Sequence, residues 1–283
     1  MRKLAVSIAT AALSFVLPAN AQTVLYSTGF EQGYAPGPLS GQGGWTVAQV
    51  YPLATDYSSN VLVQGALANA GSQAVEFTFP SSDTGAYYTF TPFVPTAPIT
   101  VSAEINYQLE GTNGFRFLVD SGPGSSDITA GVSFWGPDGD RGEPVRLIAY
   151  SSQTGYPAEG VVLGIYPSAT WLDVSMTLNY ATQTYNVSVN GVLAGSNIAF
   201  CGVVTFDDDC TATSLAPFSE IDVLEYPPRA GEVYLDDVSV TEAPEPGVWS
   251  LMITGVGLVG ASLRLRRRVR RDRRGPFTAA QYR

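Results

Sequence analysis

Leu172-Asp173-Val174-Ser175-Met176-Thr177-Leu178, then Tyr185-Asn186-Val187-Ser188-Val189 with Asn190-Gly191 and Val192-Leu193-Ala194 behind it, decide the fold class of this chain. Apolar and polar residues alternate through the first two runs. That period of two puts one set of side chains on a buried face and the other on the opposite face. Asn190-Gly191 joins the second run to the third, and a type I′ hairpin turn needs positive φ at both of its central residues, which this pair tolerates. The same alternation recurs in Val75-Glu76-Phe77-Thr78-Phe79, in Ile99-Thr100-Val101-Ser102-Ala103-Glu104-Ile105 and in Phe115-Arg116-Phe117-Leu118-Val119. Helical periodicity is absent over long stretches, and Gly and Pro punctuate the runs. No internal repeat argues for a propeller or solenoid. The expectation is an all-β domain in which two antiparallel sheets pack as a sandwich.

This domain spans residues 22–243, enough for one sizeable core. Between Glu31 and Glu245 stand twenty-four acidic residues and only four arginines (Arg116, Arg141, Arg146 and Arg229), a net charge of −20. Phosphate recognition needs the opposite sign, so a nucleic-acid partner is excluded for the domain. The chain has no histidine, which removes Ser-His-Asp and Cys-His catalysis and the usual zinc sites. No glycine loop links a strand to a helix, so a nucleotide cofactor is not expected.

Both ends carry targeting patterns. Arg2 and Lys3 precede the apolar segment from Leu4 to Leu17, and Ala19-Asn20-Ala21 is a small-x-small cleavage pattern. Residues 1–21 therefore read as a signal peptide cut after Ala21. At the other end Pro244-Glu245-Pro246 leads into an uncharged run from Gly247 to Leu263, followed by Arg264-Leu265-Arg266-Arg267-Arg268. Seventeen residues at about 1.5 Å each reach the lower limit for a transmembrane helix in a core of about 30 Å. The arginines hold their side of that helix in the cytoplasm. Residues 244–268 closely resemble the PEP-CTERM tail of Gram-negative bacteria, which implies processing by an exosortase near Pro244, Glu245 and Pro246. It also implies a precursor held in the inner membrane and a product at the cell surface or in the extracellular matrix. Residues 269–283 form a basic cytoplasmic tail that runs on, through Gly275-Pro276-Phe277 to Arg283, past the usual end of such tails.

Cys201 and Cys210 are the only cysteines. In an exported chain two cysteines this close are expected to form one disulfide that closes a hairpin or loop.

Phe30-Glu31 and Leu39-Ser40-Gly41-Gln42-Gly43-Gly44-Trp45 resemble the opening of concanavalin-A-like (LamG-like) jelly-roll domains. Val233-Tyr234-Leu235-Asp236-Asp237-Val238-Ser239-Val240 is similar to their closing strand. The resemblance implies a jelly roll whose first and last strands pair, in a family that holds lectins, glycoside hydrolases and structural adhesion domains. Function then has to come from the site and not from the fold.

Glu220-Ile221-Asp222-Val223-Leu224-Glu225 matches the E-x-D-x-x-E core of the retaining β-glucanases of that fold. By this resemblance Glu220 would be the nucleophile, Asp222 its helper and Glu225 the acid/base, provided a bulge brings Glu225 to the face of the other two. Against this stand the short chain after Glu225, the Tyr226-Pro227-Pro228 continuation and a domain with only Trp45, Trp135 and Trp171. The plainer expectation is a strand with Ile221 and Val223 in the core and its carboxylates in water. Asp138 and Asp140, in a Gly-containing turn, and Asp207 and Asp209, beside the cysteines, are candidate Ca²⁺ ligands, though neither set completes an EF-hand series. Sugar rings stack on exposed aromatics, for which Tyr87, Tyr88, Trp135, Tyr150, Tyr156 and Trp171 are candidates. The functional expectation is a non-catalytic protein that binds extracellular polysaccharide or serves a structural role; the alternative is a retaining glycoside hydrolase.

Overall fold

The computed structural model describes residues 22–49, 60–78, 84–108, 114–121, 127–136, 144–151, 160–204, 210–211, 217–225 and 231–243. The signal segment, the sorting motif with its span and basic tail, Tyr156, and the Ca²⁺ candidates Asp138, Asp140, Asp207 and Asp209 lie outside the described residues. Among the described residues no helix is long and apolar enough to cross a membrane.

All regular structure among the described residues is β. In chain order the strands are β1 (Thr23–Thr28), β2 (Gly37–Pro38), β3 (Trp45–Gln49), β4 (Val61–Gln64), β5 (Ala74–Thr78) and β6 (Thr84–Phe93). Then come β7 (Ile99–Tyr107), β8 (Gly114–Asp120), β9 (Asp127–Trp135), β10 (Val145–Ala149), β11 (Val161–Tyr166) and β12 (Trp171–Asn179). The series closes with β13 (Thr184–Val189), β14 (Val192–Ala199), β15 (Gly202–Val204), β16 (Cys210–Thr211), β17 (Phe218–Glu225) and β18 (Glu232–Glu242). Wherever they are described, the alternating runs of the sequence fall on strands, Phe79 lying outside the described residues, and Asn190 and Gly191 both take positive φ, 51° and 72°, at the β13–β14 turn.

Two antiparallel sheets form a jelly-roll sandwich. Sheet A runs β14-β13-β12-β7-β18-β5-β4-β2, with β1 also on β18; sheet B runs β11-β10-β9-β8-β17-β6-β3, with β15 on β9 and β16 on β15. The two closing strands are inserted late: β17 lies between β6 and β8, and β18 lies between β5 and β7. The first strand pairs with the last, Thr23 opposite Glu242 and Thr28 opposite Val238, as the jelly-roll resemblance implied.

The core lies between the sheets. Val101, Ala103, Ile105, Val174, Met176, Val187 and Leu235 from sheet A meet Phe115, Phe117, Val119, Val132, Phe134, Ile221 and Val223 from sheet B. Full burial of each larger side chain stabilises the fold by about 1.5–3 kcal/mol. Trp45 is buried too, donating its indole N–H to the Tyr26 hydroxyl at 2.8 Å. Tyr185 spans the sandwich: from β13 its hydroxyl donates to the carbonyls of Gly131, at 2.9 Å, and Tyr150 on the sheet B side.

Candidate functional site

Side chains of opposite parity to the core lie on the outer face of sheet B. On β17 these are Glu220, Asp222 and Leu224; on β8 Arg116, Leu118 and Asp120; on β6 Tyr87 and Thr89. Register fixes their neighbours. Glu220 stands between Thr89 and Asp120, and Asp222 between Tyr87 and Leu118. β8 is buried on both faces along its whole length, so a charged residue there cannot escape to water. Glu220 is 0 % exposed, Asp120 2 % and Asp222 7 %.

The plain expectation of solvated carboxylates is therefore corrected. Ile221 and Val223 do face the core, but Glu220 and Asp222 are buried on the other face. The same face also carries a second apolar cluster, made by Leu118, Ile128, Tyr150 and Cys201 with Leu224 against it. Gly131 makes room for it, since a Cβ at that position would stand 2.4 Å from Leu118 Cδ2 and 3.2 Å from Tyr150 Cδ2. Arg116 adds a cation over the Tyr150 ring, 5.7 Å from its centroid.

One oxygen from each of Asp120, Glu220 and Asp222 lies within 4.8 Å of the other two. Thr89 Oγ1 donates to Glu220 Oε2 at 3.1 Å. Burial first, and the Glu220 charge second, push the Asp222 carboxyl from its ordinary 3.8 up to about 7, while hydrogen bonds with Asp120 and the Val223 N–H pull it back. Like charges this close cannot all ionise in a dry site, so the cluster holds a proton near neutral pH. These oxygens suit a hard cation such as Ca²⁺, which takes 6–8 oxygen ligands and would need the remainder from water or a bound polyol.

Glu225 does not join the cluster by register. From Glu220 opposite Asp120 to Glu225 opposite Phe115 the β17–β8 pairing runs without a shift. The one irregularity, in the β17–β6 pairing, lies earlier, between Phe218 and Glu220. The backbone thus gives Glu225 the parity of Ile221 and Val223. Asp120 was the residue that sequence reading missed. The available signal was parity: it continues the Arg116, Leu118 positions of an otherwise apolar strand.

Of the aromatic candidates, Tyr87 and Trp135 stand half-buried on this outer face. Tyr88 instead packs inward against Tyr26, at 4.0 Å between ring centroids, and Trp45. Tyr150 is buried within the apolar cluster, and Trp171 starts β12 on sheet A, opposite Asn106. Cys201 is buried and disulfide-bonded, and the chain's one other cysteine, Cys210, begins β16.

No protein-family model and no curated protein matches the sequence. Solved structures with a similar course of chain include an endo-1,3-beta-glucanase from Streptomyces sioyaensis, at 15% identity over 81% of this chain and 99% of that one, with a TM-score of 0.49. The globular domain of T. cruzi calreticulin matches at 13% identity over 84% of this chain and 95% of its own, with a TM-score of 0.47. A sialidase matches at 12% identity and a TM-score of 0.44, over 73% of this chain but only 18% of that one. At such identities and scores these likenesses carry nothing about activity or ligand.

Proposed function

We propose that this is an exported envelope protein whose sandwich binds a neutral polysaccharide on the outer face of sheet B. The observation that carries this reading is the gathering of Asp120, Glu220 and Asp222, buried together on the face that does not form the core. A sheet has no packing use for three carboxylates there, and groups with displaced titration in a non-core position are the commoner mark of a functional site. Asp222, the least buried of the three at 7 % exposed, can accept a hydrogen bond from a sugar hydroxyl, and Tyr87 and Trp135 on the same face offer rings for stacking. The net charge of the domain repels anionic polymers and so favours a neutral glycan. The sorting motif at Pro244, Glu245 and Pro246 supplies the location: an exosortase would release or transfer residues 22–243 without the membrane span.

A polysaccharide array tests the reading, scored for retention of the domain and for release of reducing ends. Retention without release is expected, and Glu220→Gln should weaken it at least tenfold. Uniform lack of retention would overturn it. The second reading, a retaining hydrolase, draws on the protonated Asp222 beside Glu220, since an acid and a nucleophile need such a split. Reducing ends that vanish in Glu220→Gln would establish that reading, and the acid would then be Asp222 or Asp120, because the register sets Glu225 apart.

A further inference from the structure

The two ends of the domain meet at one place. Thr23 stands opposite Glu242 and Val24 opposite Thr241 in the pairing of the first strand with the last. One residue further on, the Ala243 N–H donates to the Pro98 carbonyl at 2.9 Å. Pro98 is the last residue of the turn, residues 94–98, that carries the chain from β6 to β7. From Glu242 a single row runs across sheet A through Ile99 on β7, Leu178 on β12, Tyr185 on β13 and Ile198 on β14. The chain thus leaves the sandwich at the end of sheet A bounded by this row, beside the turns of residues 94–98 and 180–183.

This end differs from the rest of the domain in charge and in apolar exposure. Residues 94–100 and 177–185 hold no Asp, Glu, Lys or Arg, and Glu242 is the one such residue in 22–26 and 239–243. In a domain with a net charge of −20 this is a nearly neutral end. Seven large apolar side chains stand exposed among the described residues, and three of them gather here: Val24 at 62 %, Leu25 at 37 % and Val94 at 55 %. After Ala243 come Pro244-Glu245-Pro246 and the uncharged run from Gly247 to Leu263. Four residues, fully extended, reach at most about 14 Å. The apolar run therefore starts within that distance of Ala243.

We propose that this end of sheet A is a bilayer-contact surface: Val24, Leu25 and Val94 rest on the headgroup region of the membrane that holds residues 247–263, with Pro244-Glu245-Pro246 in the gap between. This contact depends on residues 247–263 forming a membrane span, as the sorting reading holds. With that span in place, the short link keeps this end beside the bilayer. Exposed apolar side chains gain by entering the boundary between headgroups and acyl chains. Anionic lipid repels an acidic surface within about one Debye length, about 8 Å at physiological salt. An end nearly free of acidic residues can approach where the other surfaces of the domain would be pushed back. Val192 and Leu193 are as exposed, at 69 % and 60 %, but they follow the Asn190-Gly191 turn at the far end of sheet A. That turn lies beyond Val189, four residues or about 13 Å along β13 from Tyr185. An exosortase would then reach its motif only when the exit end lifts from the lipid.

The full-length protein in vesicles of phosphatidylethanolamine and phosphatidylglycerol provides the test. It carries one bimane label, on Thr96→Cys in the exposed β6–β7 turn or on Val192→Cys at the far end. A lipid with a nitroxide on its headgroup should quench the label at position 96 about threefold more than the label at 192. Val24→Glu together with Val94→Glu, at two exposed positions, should abolish that difference while far-UV circular dichroism and resistance to carbonate extraction stay unchanged. Equal quenching at the two sites, in protein that resists extraction, overturns the contact surface and leaves the membrane span standing. A difference that survives both glutamates overturns it too, because the link alone then holds the end near the lipid. Release by carbonate removes the span itself, and the contact surface falls with it.

Discussion

The two outer faces of the sandwich carry acidic clusters built on opposite principles. On sheet A, Asp173, Glu104 and Asp236 stand side by side on β12, β7 and β18, with Asp237 next along. That row is anchored to backbone: Asp236 accepts the N–H groups of Asn69 at 3.0 Å, Ala70 at 3.2 Å and Asp237 at 2.8 Å. On sheet B, Asp120, Glu220 and Asp222 share a face with Leu118, Ile128 and Leu224, and Thr89 donates its hydroxyl to Glu220. Charge given to amide donors ties loops to strands, so the first cluster is part of the fold. Charge pressed against an apolar wall destabilises the fold, and its value has to lie in what it meets from outside.

The sharpest way to break this contrast is Asp236→Ala. Three amide donors lose a charged acceptor, and a hydrogen bond to a charged group contributes about 1.5–3 kcal/mol when it is well formed. A loss of about 3 kcal/mol or more in urea unfolding is expected, with array retention unchanged at temperatures where the variant is folded. A loss under about 1 kcal/mol would make the two clusters equivalent.

Asp222→Asn should act in the reverse sense. It removes a like-charge neighbour of Glu220 from a dry site, so unfolding at pH 8 should become harder by about 1 kcal/mol while glycan retention falls at least tenfold. Lower stability together with intact retention would make Asp222 a structural residue.

Both clusters share a pH signature. Burial first, then Asp173, Asp237 and Asp236, push the Glu104 carboxyl up to about 7 from its ordinary 4.5. A carboxyl raised in the folded state favours folding when protonated, so its contribution is whole below about pH 4.5 and is lost as pH rises through about 7. Asp222 has the same sign over a window from 3.8 to about 7. The melting temperature should therefore fall from pH 5 to pH 8, and Glu104→Gln and Asp222→Asn should each flatten part of that slope. A slope untouched by both substitutions would place the titration elsewhere.

The smallest effect is expected at Asp237, exposed at the β18 bulge with φ of 47°. Asparagine tolerates that backbone, so Asp237→Asn should change stability by less than about 0.5 kcal/mol. A larger gain would mean that the sheet A row is under stronger repulsion than its amide donors imply.

Much of this molecule could be read from local pattern. Alternation marked β5, β7, β8, β12 and β13 because a period of two is a property of consecutive residues, needing no knowledge of what packs above them. The Asn190-Gly191 turn was legible for a similar reason: positive φ is a demand on two neighbouring residues, and these two meet it. Glu220 and Asp222 could be paired on one face by counting, and the acidic balance of the domain by composition. Tertiary structure alone decided that Asp120 completes their cluster, that both are buried and that Glu225 has the other parity without a bulge to correct it. Sheet neighbours are chosen by which faces stack and which loops close, and loop-closure entropy grows only with the logarithm of length. A partner far along the chain is then almost as accessible as a near one, and the late insertion of β17 between β6 and β8 leaves no local mark in the sequence.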